Sequence, residues 1–271
     1  MMRISISNLA WDINEDVEVV SLLKEYAIDA IDIAPGKYFP DPGKATTAEI
    51  KAVKTWWYNQ GIEIIGMQSL LFGTVGLNVF GSEKVQQTLL EHLAHICRIG
   101  SELGATRLVF GSPKNRDCTG LSATEIKIKS QLFFNKLGDI AADNGVVICL
   151  EPNPVIYGAN FMTSSDETYH VVKEIAHSNI KMQLDTGAVI INQENIIEVL
   201  EQARDVIGHV HLSESQLAPI GDSFAGHATF AEVLKKHLGN YPATIEMLAT
   251  QNESHLASIR RALTHVTSLY R

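Results

Sequence analysis

The sequence predicts a (β/α)8 barrel, and three observations carry that prediction. Eight short apolar runs recur along the 271 residues. Longer segments with a 3.6-residue apolar period separate them. The connections are too long for hairpins, so consecutive strands are expected to pair in parallel. A doubly wound open sheet is the alternative. It is disfavoured because no G-x-G-x-x-G turn follows the first strand. One domain spanning residues 1–271 is expected, since this length suits one α/β barrel.

The elements follow in order. The first run is Arg3–Ser7, and behind it Val17, Val20, Leu22, Leu23 and Tyr26 repeat with helical spacing. The second run is Ala30–Ile33. The third and fourth, Glu63–Met67 and Arg107–Phe110, are preceded by Gly61 and Gly104. Asn144-Gly145 stands before the fifth, residues 146–150; glycine takes the left-handed conformation that helix C-termini need. Between the third and fourth runs a helix is marked by Val85, Leu89, Leu93, Ile96, Ile99 and Leu103. Between the fourth and fifth another is marked by Ile126, Ile128, Leu132, Phe133, Leu137 and Ile140. Ser164-Ser165-Asp166-Glu167 reads as a helix start with short polar caps. The last three runs are 181–184, 209–212 and 244–248. Trp56 and Trp57 fall on the helix before the third strand, far from the strand ends, and read as packing or as a contact in a homo-oligomer.

A net charge of −9 and a pI near 5.6 disfavour nucleic acid and anionic membrane surfaces as partners. Cys97, Cys118 and Cys149 are scattered without CxxC spacing, as expected for a reduced, cytoplasmic protein. The start, Met1-Met2-Arg3-Ile4-Ser5-Ile6-Ser7, lacks the apolar run and cleavage site of a secretory signal. No stretch reaches the roughly 18 apolar residues of a membrane span.

The informative residues end the last four strands. Glu151 follows the fifth run, Asp185 the sixth, His211 lies at the end of the seventh, and Glu246 falls in the eighth after Ala243-Thr244-Ile245. In a barrel these ends converge on the face where active sites lie. Each alone has an ordinary explanation: a strand-terminal acid caps a turn, and a lone histidine is a hydrogen-bonded rim residue. Together, three carboxylates and one imidazole without a thiolate suit one hard or borderline divalent ion such as Mn²⁺, Mg²⁺, Co²⁺ or Zn²⁺. Four protein ligands leave two octahedral positions for adjacent sugar oxygens. Glu151 and Glu246 are also placed to move protons. His209 faces the same way as His211 but deeper, as a supporting or packing residue.

Other rim residues are expected to touch substrate. Lys114 and Arg116, after the fourth strand, read as an anion or hydroxyl clamp, or else as a solvated basic loop. Lys37 invites the same reading. Trp11, Tyr157 or Phe161 could stack on a sugar face, Gln68 could bond a hydroxyl, and Asn153 lies beside Glu151. His227, before the seventh barrel helix, could swing over the site.

Five segments carry a family resemblance: Leu108-Val109-Phe110-Gly111-Ser112-Pro113, Leu150-Glu151-Pro152-Asn153-Pro154, Gln183-Leu184-Asp185-Thr186-Gly187, His209-Val210-His211-Leu212-Ser213-Glu214 and Thr244-Ile245-Glu246. The chain resembles the xylose isomerase-like TIM barrel superfamily, in the branch of sugar isomerases and epimerases that includes D-tagatose 3-epimerase. The resemblance implies one divalent ion on Glu151, Asp185, His211 and Glu246, with Glu151 and Glu246 as the acid/base pair. Two departures imply different substrate contacts. Ala188 stands where many relatives carry a histidine, and Ser215-Gln216-Leu217-Ala218-Pro219 lacks the arginine of the epimerases. The expected activity is metal-dependent isomerisation or epimerisation of a small sugar or sugar derivative, by proton removal beside a carbonyl to a metal-stabilised enediolate. A dehydratase on the same scaffold and a non-catalytic carbohydrate-binding barrel are the alternatives.

Overall fold

The computed structural model describes residues 2–224, 226–239 and 241–271. Among the described residues eight strands form a closed barrel: β1 (Arg3–Ser7), β2 (Ala30–Ile33), β3 (Glu63–Met67), β4 (Arg107–Phe110), β5 (Val147–Leu150), β6 (Ile180–Asp185), β7 (Ile207–Leu212) and β8 (Pro242–Ile245). Every neighbour pairs in parallel, and β1 closes on β8 in a register running from Arg3 opposite Pro242 to Ile6 opposite Ile245. The surrounding helices are α1 (Asp16–Glu25), α2 (Pro35–Tyr38), α3 (Thr47–Asn59), α4 (Glu83–Leu103), α5 (Ala123–Asp143), α6 (Ser165–Ile175), α7 (Thr186–Ile191), α8 (Ile196–Ala203), α9 (His227–Leu238) and α10 (His255–Tyr270).

The first four strands coincide with the apolar runs of the sequence. The eighth does not. It starts two residues earlier and stops at Ile245, after which the backbone leaves the ladder: Glu246 N–H still donates to Leu212 O at 2.9 Å, but Leu248 N–H donates to Leu217 O in the loop beyond β7. Helix boundaries follow local chemistry. Ser164 accepts from Glu167 N–H to start α6, and reciprocal capping boxes, Thr46 with Glu49 and Ser122 with Glu125, start α3 and α5. Gly104, at φ 90°, ends α4. Val17 on α1 and Ile128 and Leu132 on α5 belong to the apolar period yet face solvent. On these two helices the buried stripe is narrower than the apolar pattern.

Helices pack on the outer faces of the strands through Leu89, Leu93, Ile96, Phe133, Phe134 and Leu137, all buried. Trp57 is buried too, set edge-on against Trp11 at 6.5 Å and against Trp56 at 4.8 Å. This is packing between α3 and the first loop.

The barrel interior carries a polar seam. Ser5 Oγ lies 2.5 Å from Thr244 Oγ1, Thr244 Oγ1 is 3.3 Å from His209 Nε2, and His209 Nε2 is 2.6 Å from Asp32 Oδ2. All four residues are buried. Room for Asp32 comes from Gly66 on β3, opposite it. A Cβ there would lie 2.6 Å from both carboxylate oxygens, and the β2–β3 register shifts at this point. Overpacking a buried site costs about 1–3 kcal/mol. Gly66→Ala should therefore lower the free energy of unfolding by roughly that amount, as read from urea denaturation midpoints at unchanged m-value.

Candidate metal centre and substrate cavity

The four strand-end residues reach one point. Asp185 ends β6 and caps α7: its Oδ1 accepts from Ala188 N–H at 2.6 Å, and its Oδ2 accepts from Ser213 Oγ at 2.8 Å. His211, its cross-strand neighbour on β7, is fully buried. The His211 Nδ1 lies 3.4 Å from Glu151 Oε1 and 3.2 Å from Glu246 Oε2. One ligand atom from each of Glu151, Asp185, His211 and Glu246 lies within 4.8 Å of the others. Gly111, at the end of β4, lets Glu151 lie flat, because any Cβ there would collide with the Glu151 carboxylate.

This cluster fits a divalent cation. Glu151 Oε1 and His211 Nδ1 are buried without a hydrogen-bond partner, and orphaned buried polar atoms are costly. Burial, then the charges of Glu151 and Glu246, push the Asp185 carboxyl up to about 7. Burial alone would make the His211 ring less basic. The Glu246 charge, with the contacts to Asp32 and Glu151, outweighs it and raises the ring well above its ordinary value. Both shifts express one deficit, too little positive charge among three acids. An oxygen-rich set with one imidazole suits a hard or borderline ion.

Asp32 is a buried acid beside the cluster that the strand-end pattern does not reveal. Its Oδ2 lies 3.7 Å from His211 Nε2 as well as 2.6 Å from His209 Nε2. Burial would raise its pKa, but the His209 and His211 rings hold it well below the carboxylate range. With Nδ1 beside the acids, His211 Nε2 faces Asp32 without a hydrogen bond, the side from which a carboxylate can orient a histidine that binds a metal. The available signal was one acid inside an otherwise apolar strand, Ala30-Ile31-Asp32-Ile33.

Two cavity lobes meet at Gly111, Glu151 and Glu246. The first, of about 200 Å³, is lined by Gln68, Ser69, Leu70, Phe72 and Ser112 among others. The second, of about 340 Å³, extends over Pro154, Tyr157, Ile191, Leu217 and Leu248. Gln68 lines the first lobe, donating from Nε2 to Ser7 Oγ at 2.7 Å and leaving Oε1 unpartnered. Asn153 lines the second, its Nδ2 donating to Gly111 O at 2.7 Å.

Several expected contacts lie elsewhere. Arg116 is no rim clamp. The 3-10 turn Pro113–Arg116 rotates it inward until it is 0% exposed, and its Nη1 donates to the Glu151 carbonyl at 2.7 Å. Burial lowers its pKa to about 10, so it stays charged at neutral pH. Lys114 is exposed and lines neither lobe. Trp11 is fully buried and donates from Nε1 to Asp16 at 2.7 Å, so it has no face for a sugar. Lys37 is spent on the carbonyls of Asn8 and Trp11, at 2.7 and 2.5 Å. His227 does not swing over the site: it is buried between Tyr270 Oη and Glu214 Oε1, each at 2.9 Å. Phe161 packs on Phe80 at 5.0 Å, whereas Tyr157 does line the second lobe.

The profile of the family described as xylose isomerase-like TIM barrel matches residues 20–267. The chain belongs to the xylose isomerase-like TIM barrel family. Within that family, the L-ribulose 3-epimerase of Methylomonas sp. (strain DH-1) is 28% identical over 134 residues, which is 49% of this chain and 46% of that protein. The chain thus matches about half the length of this relative. The D-psicose 3-epimerase of Clostridium cellulolyticum H10, solved with D-tagatose, superposes with a TM-score of 0.82 at 16% identity, covering 100% of both chains. The 3-keto-D-glucoside 4-epimerase of E. coli superposes with a TM-score of 0.80 at 18% identity, over 99% of this chain and 100% of that one. These superpositions share the barrel of the xylose isomerase-like family. Among the described residues, no helix is long and apolar enough to cross a membrane.

Two outcomes are expected of the centre. Because the folded pKa of Asp185 is raised to about 7, the folded metal-free chain holds a proton that the unfolded chain has released. Its contribution to stability is therefore full below the ordinary carboxylate range and lost as pH rises to about 7. Thermal midpoints of chelator-treated protein should fall across that window, and added Mn²⁺ should reverse the fall at its upper end. Asp32→Asn should weaken Mn²⁺ binding by about 10–100-fold, measured by calorimetry, while His209 and Gly66 still enclose the amide.

Proposed function

We propose that the chain is a metal-dependent epimerase or isomerase of a small sugar or sugar derivative. The observation that carries this reading is that Glu151 and Glu246 belong both to the ligand cluster and to the walls of both cavity lobes. A substrate lying across the junction touches both carboxylates at once. The activities of the relatives, L-ribulose 3-epimerase, D-psicose 3-epimerase and 3-keto-D-glucoside 4-epimerase, support the same chemistry.

Glu151, Asp185, His211 and Glu246 would hold one divalent ion, Mn²⁺ by preference, which when bound supplies Lewis-acid polarisation of a substrate carbonyl. The chain's own residues do the rest. One of Glu151 and Glu246 takes the proton from the carbon beside the carbonyl, giving an enediolate. The other returns a proton to the opposite face, which inverts that carbon. Asp185 keeps its position through Ala188 and Ser213, so it serves as a fixed anion rather than a proton carrier. Gln68 Oε1 accepts from a sugar hydroxyl. Arg116, through the Glu151 carbonyl, holds the start of the loop after β5. The buried free thiols Cys97, Cys118 and Cys149 support a reducing, cytoplasmic setting.

NMR in D₂O with Mn²⁺-loaded protein and a panel of ketoses tests the proposal. Deuterium should enter the carbon beside the carbonyl. Glu151→Gln and Glu246→Gln should each slow that exchange by about 10²–10⁴-fold, and Glu246→Gln should keep part of its metal by elemental analysis. Turnover without solvent deuterium, or full activity in Glu246→Gln, would overturn the two-base mechanism.

A further inference from the structure

The two lobes differ in what they leave unsatisfied. In the first, Gln68 Oε1 is a buried acceptor without a partner, and Ser69 and Ser112 stand beside it. In the second, most of the polar side chains are already engaged. Ser213 Oγ donates to Asp185 and Asn153 Nδ2 to Gly111 O. The Glu214 carboxylate accepts from Gly221 N–H, Ser223 and His227. Beyond the acids of the centre and the exposed Gln216 side chain, what remains on offer there is apolar: Pro154, Ile191, Leu217, Leu248 and the Tyr157 ring.

This apolar wall is built rather than incidental. Tyr157 Oη accepts from Gln216 N–H at 2.8 Å, tying the loop after β5 to the loop after β7. Gln216 and Leu217 are consecutive non-glycine residues in the left-handed region, at φ 59° and 52°. Such strain persists only where the surroundings over-determine it, as at ligand clamps. The surroundings do so here: Leu217 N–H donates to Glu214 O at 3.0 Å, and Leu217 O accepts from Leu248 N–H at 2.9 Å. Leu248 and Tyr157 are nonetheless 48% and 40% exposed, so large apolar surface stands uncovered beside the reacting carboxylates.

Charge narrows the occupant further. The lobes carry Glu151, Asp185, Glu214 and Glu246, and among the described residues no lysine, arginine or histidine side chain lines either one. A phosphate or carboxylate on the substituent would find no basic side chain in either lobe, and away from the metal centre it would face only acids. Size points the same way. The first lobe, at about 200 Å³, falls below the roughly 300 Å³ at which ligand pockets begin, and it reaches that range only together with the second.

We infer that the second lobe is a subsite for an uncharged apolar or aromatic substituent on the sugar, so that the substrate is a neutral substituted sugar such as an aryl glycoside carrying a free carbonyl, and not a sugar phosphate or sugar acid. The sugar half of this inference rests on the epimerase reading. The substituent half rests on the wall alone.

Calorimetry on the Mn²⁺-loaded protein with methyl, phenyl and 4-carboxyphenyl 3-keto-β-D-glucoside, each of which carries a free carbonyl, tests it. Phenyl should bind at least about tenfold more tightly than methyl, the order expected when an aromatic ring leaves water, and 4-carboxyphenyl should bind more weakly than phenyl. Leu248→Ser should shrink the phenyl-to-methyl ratio, and Leu248→Lys should move 4-carboxyphenyl ahead of phenyl. Because Leu248 is half exposed on a loop, both variants should keep the wild-type thermal midpoint. Equal affinity for phenyl and methyl, or preference for the anion in the wild type, overturns the subsite. Deuterium exchange into D-psicose, run alongside, separates the two readings: exchange without aryl preference removes only the subsite, and aryl preference without exchange removes only the proton-transfer chemistry.

Discussion

Three acids crowded around one buried imidazole set the terms for the open end of the barrel. Like charges at such separations are tolerable in water and costly inside a protein. The chain offsets that cost from several sides. Asp185 receives an amide and a hydroxyl, His211 is backed by Asp32, and Arg116 places a buried guanidinium against the Glu151 backbone. Each support comes from a different strand or loop, which only a closed barrel brings to one place. A divalent ion held there would complete the charge balance that the side chains leave open.

Support for the centre runs down through the barrel rather than out across its surface. The polar seam from Ser5 through Thr244 and His209 to Asp32 occupies interior positions that aliphatic side chains would ordinarily fill. Aliphatic packing there would stabilise the barrel at least as well. The seam instead holds ring orientation, which packing alone specifies poorly. Gly66 belongs to the same arrangement, since it gives the Asp32 carboxylate its space.

The strands were legible because parallel strands, buried on both faces, read as unbroken apolar runs. The four candidate ligands stood out because each breaks such a run at its end. Asp32 was not, because it lies within its strand, and only the fold reveals that Gly66 and His209 face it. Arg116, Trp11, Lys37 and His227 were assigned to the rim from their place after a strand. That place fixes the backbone but not where a long side chain turns. Their partners, Glu151, Asp16, Asn8 and Tyr270, were set by tertiary contacts that spacing does not encode. The early end of β8 has the same origin: Met247 and Leu248 carry the apolar character past Glu246, but the Leu248 N–H pairs with Leu217 outside the sheet.

The bond between Tyr157 and Gln216 has an evolutionary consequence. Loops on this face of a barrel usually diversify one at a time, which lets one scaffold host many chemistries. Here an insertion or deletion in the loop after β5 would pull the phenol from the strained turn after β7, and the reverse would also hold. The two segments can change length only in concert. Divergence at this mouth should therefore proceed by exchanging side chains on Ile191 and Leu248, leaving the loop lengths on either side inherited as a matched pair.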